Sequence, residues 1–145
     1  YQAYDLSPTS VDITQKFVDF ILGEKFGNIE ITLKNILYVA DSEKYDFITM
    51  GEVLEHVETP SILLDKIYSI LSTDGMVFLT TCVNAPAIDH IYLFESVEEV
   101  RNIIKNANFE ICKELILPSE KLLVKNLKNV DTINYASILK KYYEY

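Results

Sequence analysis

Apolar residues along this chain recur at two spacings, one typical of helices and one typical of strands. Residues 8–22 carry apolar side chains at helical spacing after Ser7 and Pro8, which suit the start of a helix. Residues 76–83 are almost continuously apolar, as in a strand that is covered on both faces. The full pattern predicts strands near residues 1–5, 29–33, 45–50, 76–83, 110–117 and 133–142, and helices near residues 8–22, 60–72 and 96–107.

The order of these elements predicts the fold class. Strand and helix patterns alternate through the first 108 residues, which indicates βαβ units and a largely parallel sheet. A chain of 145 residues is long enough for a sizeable core, so we expect one α/β domain over residues 1–145. The polar, Lys-rich stretch 118–131 is expected to be a loop.

Composition and charge disfavour several classes of protein. Apolar residues make up 49% of the chain, which is too high for a disordered segment. The formal charge is 13 − 22 = −9, which disfavours a nucleic-acid partner. No run approaches the ~20 apolar residues of a membrane span, and no signal pattern is seen, so we expect a cytoplasmic protein. Cys82 and Cys112 lie in apolar runs and are expected to be reduced core residues.

The stretch 45–57 combines a strand pattern with chemically active side chains. Glu52, Glu55 and His56 follow the apolar run, at the point where α/β sheets bind ligands. Their spacing of i, i+3 and i+4 puts all three on one side of a helical turn. His90, the only other histidine, follows the next predicted strand, and loops after neighbouring parallel strands share one edge of a sheet. We therefore expect these four side chains to converge.

Five short features become informative when they are taken together. They are Tyr4-Asp-Leu-Ser-Pro8, Tyr45-Asp-Phe-Ile48 with Glu52-Val-Leu-Glu-His-Val57, Leu71-Ser-Thr-Asp-Gly75, Ala107-Asn-Phe109, and Asn134-Tyr-Ala-Ser-Ile-Leu-Lys-Lys141. In this order and spacing, across nearly the whole chain, they resemble the class I S-adenosylmethionine-dependent methyltransferases. The resemblance implies a Rossmann-like sheet, mostly parallel with an antiparallel last strand, and S-adenosylmethionine as the cofactor.

The resemblance also implies that part of the family's domain is absent. The family's first strand and its glycine-rich turn, which cradles the methionine end of the cofactor, have no counterpart in this sequence. We therefore expect a methyltransferase domain truncated at its N-terminus, cut from something longer. Residues 1–44 and 45–145 would belong to different halves of the sheet, and the isolated chain would bind the cofactor weakly.

The resemblance assigns cofactor-binding roles to five residues. The acid at the end of the family's second strand binds the ribose hydroxyls, and here it is Asp5, whose carboxylate can accept two hydrogen bonds from a diol. Asn35 and Ile36 correspond to the adenine contact, and Leu6 and Gly51 complete the set. From the residues alone, a turn acid before a helix is the preferred interpretation of Asp5, while residues 35–36 are equally consistent with an ordinary loop.

The pattern Glu-x-x-Glu-His with a later histidine resembles the metal site of the small-RNA terminal ribose methyltransferases, and in its first part that of ubiquinone-pathway O-methyltransferases. The resemblance implies Glu52, Glu55, His56 and His90 as metal ligands, with His56 and His90 as catalytic residues. Such ligands suit Mg²⁺ or Mn²⁺, with Fe²⁺ and Zn²⁺ as further candidates. In metal-free relatives Glu55 would cap a backbone group and His56 would pack under the cofactor. His90 also fits a general base or a substrate contact.

The leading hypothesis is an O-methyltransferase that acts on a small hydroxylated molecule. A divalent metal would assist it, because a cation lowers the pKa of a bound hydroxyl. An N-methyltransferase is the nearest variant. A non-catalytic remnant or interaction module is the alternative from a different class, favoured by the missing glycine-rich turn and the acidic surface. We expect no nucleic-acid or membrane partner, and a homodimer formed through exposed strand edges is a further hypothesis.

Overall fold

The structure is a computed structural model that describes residues 1–23, 28–118 and 132–143. It divides into two compact units, Tyr1–Ala40 and Asp41–Tyr145, here called the N-terminal unit and the C-terminal unit. The expectation of one domain over the whole chain stays a prediction. The loop predicted over residues 118–131 lies outside the described residues, except for Pro118, which ends a strand.

The N-terminal unit contains two parallel strands and one helix. Strand β1 (Gln2–Asp5) pairs in parallel with β2 (Glu30–Leu33), and helix α1 (Pro8–Leu22) lies between them in sequence. Ser7 caps α1 as predicted, because its side chain accepts a hydrogen bond from the Ser10 N–H at 3.2 Å. The unit thus has the strand, helix and parallel strand that the sequence pattern predicts.

Helix α1 forms where predicted, but none of its residues is buried. The exposed fractions of Phe17, Phe20 and Ile21 are 60%, 87% and 69%. The two strands of this unit have 4 residues each and offer little apolar surface to a helix of 15 residues. No helix in the described ranges is long and apolar enough to cross a membrane.

The C-terminal unit contains a four-stranded sheet and two helices. Its elements in chain order are β3 (Tyr45–Gly51), α2 (Pro60–Ile70), β4 (Leu71–Val83), α3 (Val97–Asn106), β5 (Phe109–Pro118) and β6 (Ile133–Lys141). The strands lie side by side in the order β3, β4, β6, β5. Strand β3 runs parallel to β4, and β6 runs antiparallel to both of its neighbours. The predicted α/β fold with an antiparallel last strand is confirmed, and the strands before and after residue 44 form separate sheets.

The core of the C-terminal unit lies between one face of its sheet and the apolar faces of its helices. Leu64 on α2, Leu79 on β4 and Ile104 on α3 are each 0% exposed. Alternate residues of β4 point to opposite faces, so Leu79 points inward while Phe78 is 37% exposed. This packed sheet holds the ends of β3 and β4 in place.

Strand β4 begins earlier than the sequence pattern predicts, at Leu71 instead of near residue 76. Leu71 pairs with Tyr45 and Met76 pairs with Phe47, so residues 72–75 form an insertion between the two pairs. Gly75 suits this bulge because a Cβ there would lie only 2.8 Å from Leu71 Cδ1. The polar bulge concealed the start of the strand in the sequence.

The two cysteines lie in different environments. Both are free thiols, and Cys82 is buried, as predicted. The prediction of a core position is wrong for Cys112, which is exposed. Strand β5 lies at the edge of the sheet, and its register shifts between Ile111 and Lys113, so Cys112 is the extra residue of a bulge.

Candidate functional site

The turn after β3 fixes Glu52 against the neighbouring strand. Glu52 has a φ of 50°, a left-handed conformation that residues other than glycine rarely adopt. Its N–H donates to the Thr80 carbonyl at 3.0 Å, and the Thr80 hydroxyl donates to Glu52 Oε1 at 2.7 Å. These two bonds offset the backbone strain and hold the carboxylate near the carboxyl end of β4.

Glu55 lies in a short 3₁₀ turn, Leu54–His56, and is only 1% exposed. Its Oε2 accepts a hydrogen bond from the Thr81 hydroxyl at 2.8 Å, and its Oε1 lies 3.7 Å from Cys82 Sγ. No lysine or arginine within the described ranges forms an ion pair with it. A buried carboxyl group whose hydrogen-bond donors are all neutral is an unusual feature, because burial removes its hydration.

Both histidines are oriented by backbone carbonyl groups. His56 Nδ1 lies 2.8 Å from the Asp89 carbonyl oxygen, and His90 Nδ1 lies 2.5 Å from the Ala85 carbonyl oxygen. A carbonyl oxygen only accepts hydrogen bonds, so Nδ1 is the donating nitrogen of each ring, and in the neutral form Nε2 would carry the lone pair. Metal-binding histidines are held in this way. The two rings lie edge to face with their centroids 5.0 Å apart.

Backbone hydrogen bonds tie the His90 loop to the turn that carries Glu55. The N–H groups of Ile91 and Tyr92 both donate to the Glu55 carbonyl, at 2.8 Å and 2.9 Å. His90 immediately precedes these two residues and is therefore anchored beside Glu55. This contact explains how a residue 90 − 55 = 35 positions later reaches the end of β3.

Burial and negative charge together raise two pKa values at this site. Burial raises the pKa of the Glu52 carboxyl, the Thr80 hydroxyl lowers it, and the neighbouring Glu55 carboxylate raises it again. Burial also raises the pKa of the Cys82 thiol to about 12, with further increases from Glu55 and Glu52. Negative charge is therefore crowded here.

The described side chains offer two groups of metal-ligating atoms, and both groups include His90. Glu55, Cys82 and His90 form one group and His56, Asp89 and His90 the other, with the donor atoms in each within 4.8 Å of one another. The Glu52 carboxyl lies next to that of Glu55, which belongs to the first group. The structure thus brings Glu55 and His56 each close to His90, in two separate groups, and Glu52 belongs to neither group. Their role as metal ligands stays a prediction.

The alternative role of Glu55, capping a backbone group, is not what the structure shows. The Glu55 carboxylate contacts the side chains of Thr81 and Cys82 and accepts from no backbone N–H within the described ranges. The ring of His56 meets the ring of His90 at its edge. The Glu55 carboxylate thus contacts polar side chains, whereas the His56 ring contacts the His90 ring and the backbone carbonyl of Asp89.

Sequence reasoning missed four residues of this site, namely Thr80, Thr81, Cys82 and Asp89. The signal for the threonines was present, because two hydroxyl groups interrupt an otherwise apolar run just before the strand ends. Cys82 was assigned to the core because of its apolar neighbours. Its contact with Glu55 depends on the fold and has no sequence signal of its own.

Two of the residues predicted to bind the cofactor act locally as caps and turns. Asp5 ends β1, and its Oδ1 accepts the Ser7 N–H at 2.7 Å, while no described residue donates to its Oδ2. The Asn35 side chain accepts the Leu37 N–H at 2.9 Å and caps the 3₁₀ turn Ile36–Tyr38. Asp5 therefore uses one of its two carboxylate oxygens in the local turn.

The other predicted cofactor residues differ in exposure. Leu6 is 69% exposed, and Ile36 is half-buried. A Cβ at Gly51 would meet only the Thr80 hydroxyl oxygen at 3.5 Å, an ordinary contact, so no described neighbour requires glycine there. Cofactor binding by these residues stays a prediction.

Comparison with protein families and curated sequences gives a consistent result. A family model described as "Methyltransferase domain" matches residues 1–114. The ubiquinone biosynthesis O-methyltransferase of Glaesserella parasuis serovar 5 (strain SH0165) is 34% identical over 98 residues, which cover 64% of this chain and 40% of that relative. The chain thus spans less than half the length of this curated relative.

Solved structures resemble the fold at low sequence identity. The [4+2]-cyclase SpnF matches with a TM-score of 0.76 and 12% identity, over 97% of this chain and 65% of that one. An O-methyltransferase from a trans-AT PKS multienzyme of Brevibacillus brevis, in complex with S-adenosyl-L-homocysteine, matches with a TM-score of 0.70 and 16% identity, over 97% and 58%. At these identities the likeness shows the fold alone.

Proposed function

This chain belongs to the methyltransferase-domain family, and we propose that it contributes to S-adenosylmethionine-dependent methyl transfer onto a hydroxyl group of a small molecule, assisted by a divalent cation. The names of the curated relatives support transfer to oxygen. The net charge of −9 disfavours a nucleic-acid acceptor. Methyl transfer to nitrogen is the nearest variant.

The observation that carries the cation part of the proposal is the buried Glu55 carboxylate. It has no lysine or arginine partner within the described ranges, a second carboxylate adjoins it, and a histidine lies at its side. We assign Glu52, Glu55, His56 and His90 as the residues that would hold the cation. A divalent cation would lower the pKa of a hydroxyl group bound to it, and the deprotonated oxygen would then be nucleophilic near neutral pH.

Other side chains would orient the carboxylates, accept a proton and bind the cofactor. Thr80 and Thr81 orient the two carboxylates through their hydroxyl groups. The Nε2 atoms of His56 and His90, whose Nδ1 protons are fixed by carbonyl groups, can hold the cation or accept the proton of the acceptor hydroxyl. The second carboxylate oxygen of Asp5 would accept a ribose hydroxyl of the cofactor.

A methyl-transfer assay with labelled S-adenosylmethionine tests the proposal. Catechol offers two adjacent hydroxyls to one cation, phenol offers one, and aniline tests transfer to nitrogen. We expect labelled product from catechol in the presence of a divalent cation, less from phenol, and none after chelation. Product from aniline alone would replace the proposal with the nitrogen variant.

Two variants separate cation-assisted chemistry from cofactor binding. His90→Ala should abolish cation-dependent transfer and leave cofactor binding near normal. Glu110→Gln, which removes an exposed acid paired with Lys140 elsewhere in the unit, is the matched control and should change neither. Equal loss of transfer and cofactor binding in His90→Ala would place His90 in the cofactor pocket instead.

Cofactor affinity supplies a second test. The 4 glycines of this sequence stand at positions 23, 27, 51 and 75, so none of them has the G-x-G-x-x-G spacing of a turn that could hold the methionine end of the cofactor. We expect calorimetry to give a Kd weaker than micromolar, which corresponds to less than about 8 kcal/mol of binding free energy. Tighter binding would contradict the need for that turn.

The fold is also compatible with a second candidate, a non-catalytic module of methyltransferase fold. The fold alone does not decide, since SpnF, which shares it, is named as a cyclase. If no acceptor is methylated and no cofactor binding is detected, the non-catalytic candidate is the better account.

A further inference from the structure

We propose that Cys82 is a thiolate ligand of the cation site, and that this thiolate makes the site select Zn²⁺ over Mg²⁺ and Mn²⁺. The inference rests on the proposed function, because it names the cation that the proposed site would take. It adds a ligand that the sequence resemblance does not supply. It also changes the expected metal.

The position of the sulfur atom supports this role. Cys82 Sγ lies 3.7 Å from Glu55 Oε1, and both residues are buried. In a tetrahedral zinc site, with bonds of about 2.3 Å to sulfur and about 2.0–2.2 Å to oxygen, those two ligand atoms are about 3.6 Å apart. The observed separation therefore needs almost no adjustment to bridge one ion. The His90 ring lies beside the sulfur atom, with its Nδ1 3.8 Å from Cys82 Sγ, and the three residues offer ligand atoms within 4.8 Å of one another.

The chemistry of the donor set decides between metals. Mg²⁺ prefers oxygen ligands in octahedral geometry and keeps several waters, whereas a thiolate, an imidazole and a carboxylate suit Zn²⁺. On binding, the S–H bond of Cys82 breaks, its proton passes to solvent, and the sulfur lone pair forms the bond to Zn²⁺. No oxidant or reductant is required.

The second group of donor atoms offers an alternative cation site without sulfur. His56, Asp89 and His90 also lie close enough to share an ion, and that group contains no sulfur. It is also more open, since the Asp89 side chain is 69% exposed and the His56 side chain 36%. A cation bound there would have only oxygen and nitrogen ligands. A spectroscopic signature of sulfur therefore separates the two arrangements.

Co²⁺ is the probe, because it replaces Zn²⁺ and its absorption reports thiolate ligation. Untagged wild-type protein, Cys82→Ser and Cys112→Ser are titrated with Co²⁺. Cys112 is the exposed cysteine and serves as the matched control. We expect an intense near-ultraviolet thiolate-to-cobalt band in wild type and Cys112→Ser, and its loss in Cys82→Ser.

Competition experiments then test metal choice. Zn²⁺ should displace Co²⁺ from wild type, while Mg²⁺ or Mn²⁺ in large excess should not. Loss of a ligand should weaken Zn²⁺ binding by Cys82→Ser about tenfold or more, since even the loss of a group that only orients a ligand costs 10–100-fold. Displacement of Co²⁺ by Mg²⁺ as readily as by Zn²⁺ would overturn the inference.

The outcomes separate this inference from the proposed function. Visible cobalt bands without the thiolate band in wild type would overturn the role of Cys82 and leave the cation site standing. No binding of Co²⁺, Zn²⁺, Mg²⁺ or Mn²⁺ by calorimetry would overturn both. If Cys82→Ser does not fold, Cys112→Ser still decides, because Cys82 is then the only thiol in the chain.

Discussion

Helices α1 and α2 have similar sequence patterns and opposite environments. Both start with proline after a hydroxyl residue and carry apolar side chains at helical spacing. Helix α2 buries five of its residues, Pro60, Leu63, Leu64, Ile67 and Ile70, whereas α1 buries none. The difference lies in what each unit offers a helix, because the C-terminal unit has four strands and the N-terminal unit has two.

The same contrast separates the two acidic strand ends. Asp5 ends β1 in the N-terminal unit and is exposed, while Glu55 follows β3 in the C-terminal unit and is 1% exposed. An exposed carboxylate is hydrated at little cost, but a buried one requires partners. The sequence pattern therefore predicts an element and its residue types, whereas burial determines how much those residues contribute to stability and to the site.

The largest expected effect on the free energy of unfolding is that of an apolar side chain removed from α2, compared with one removed from α1. Leu64→Ala in α2 should lower the free energy of unfolding by about 2–5 kcal/mol, because it leaves a cavity at a fully buried position. Phe20→Ala in α1 should change it by less than about 0.5 kcal/mol, because Phe20 is 87% exposed. Urea unfolding of both variants checks this. Equal losses would show that α1 is covered in solution.

The second prediction compares the two acids by metal linkage. A saturating divalent cation, at 100 times its Kd, should stabilise the wild-type protein by about 2.7 kcal/mol. Glu55→Gln should lose this stabilisation, since it removes the buried negative charge but keeps the side-chain shape. Asp5→Asn is the control and should retain it. Thermal unfolding with Zn²⁺, and with chelator, measures the effect, and full stabilisation of Glu55→Gln would contradict the assignment.

Most of the fold could be predicted because strands and helices leave periodic patterns. Helix α1 was predicted to within a residue, whereas the start of β4 was missed because the polar bulge at residues 72–75 has no such period. The site was predictable where it follows local spacing, as for Glu52, Glu55 and His56. The contact of Cys82 with Glu55 depends on strand pairing and loop closure, which no local pattern records.

The N-terminal caps of helices α1 and α3 are alike in geometry. Ser96 caps α3 by accepting the Glu99 N–H at 3.2 Å, as Ser7 caps α1 by accepting the Ser10 N–H at 3.2 Å. Ser96→Ala should lower the unfolding free energy by about 1 kcal/mol, because α3 belongs to the packed core. Ser7→Ala should instead increase amide exchange within α1 and leave the main urea transition unchanged. A shift of that transition in Ser7→Ala would show that the two units unfold together.

The smallest expected effect is a pH dependence confined to the C-terminal unit. The Arg101 guanidinium donates two hydrogen bonds to the Glu114 carboxylate, at 2.6 Å and 3.1 Å, and lowers the pKa of that carboxyl below its ordinary value of 4.5. A lowered folded-state pKa stabilises the protein above pH 4.5, and the stabilisation is lost as the pH falls through the folded-state value. Glu114→Gln should therefore be less stable than wild type at pH 7, and the difference should shrink as the pH falls below 4.5.

The matched control for this prediction lies in the N-terminal unit. Asp12 pairs with Lys16 one turn away on α1, and both side chains are more than half exposed, at 61% and 73%. Exposed ion pairs of this kind contribute little to the free energy of unfolding. Asp12→Asn should therefore leave the unfolding transition unchanged, within experimental error, between pH 3 and pH 7. Urea unfolding at several pH values compares the two variants. If the stability difference between Glu114→Gln and wild type stays constant with pH, the variant has lost packing and not a charge interaction. If Asp12→Asn has an effect as large as that of Glu114→Gln, exposure does not distinguish the two ion pairs.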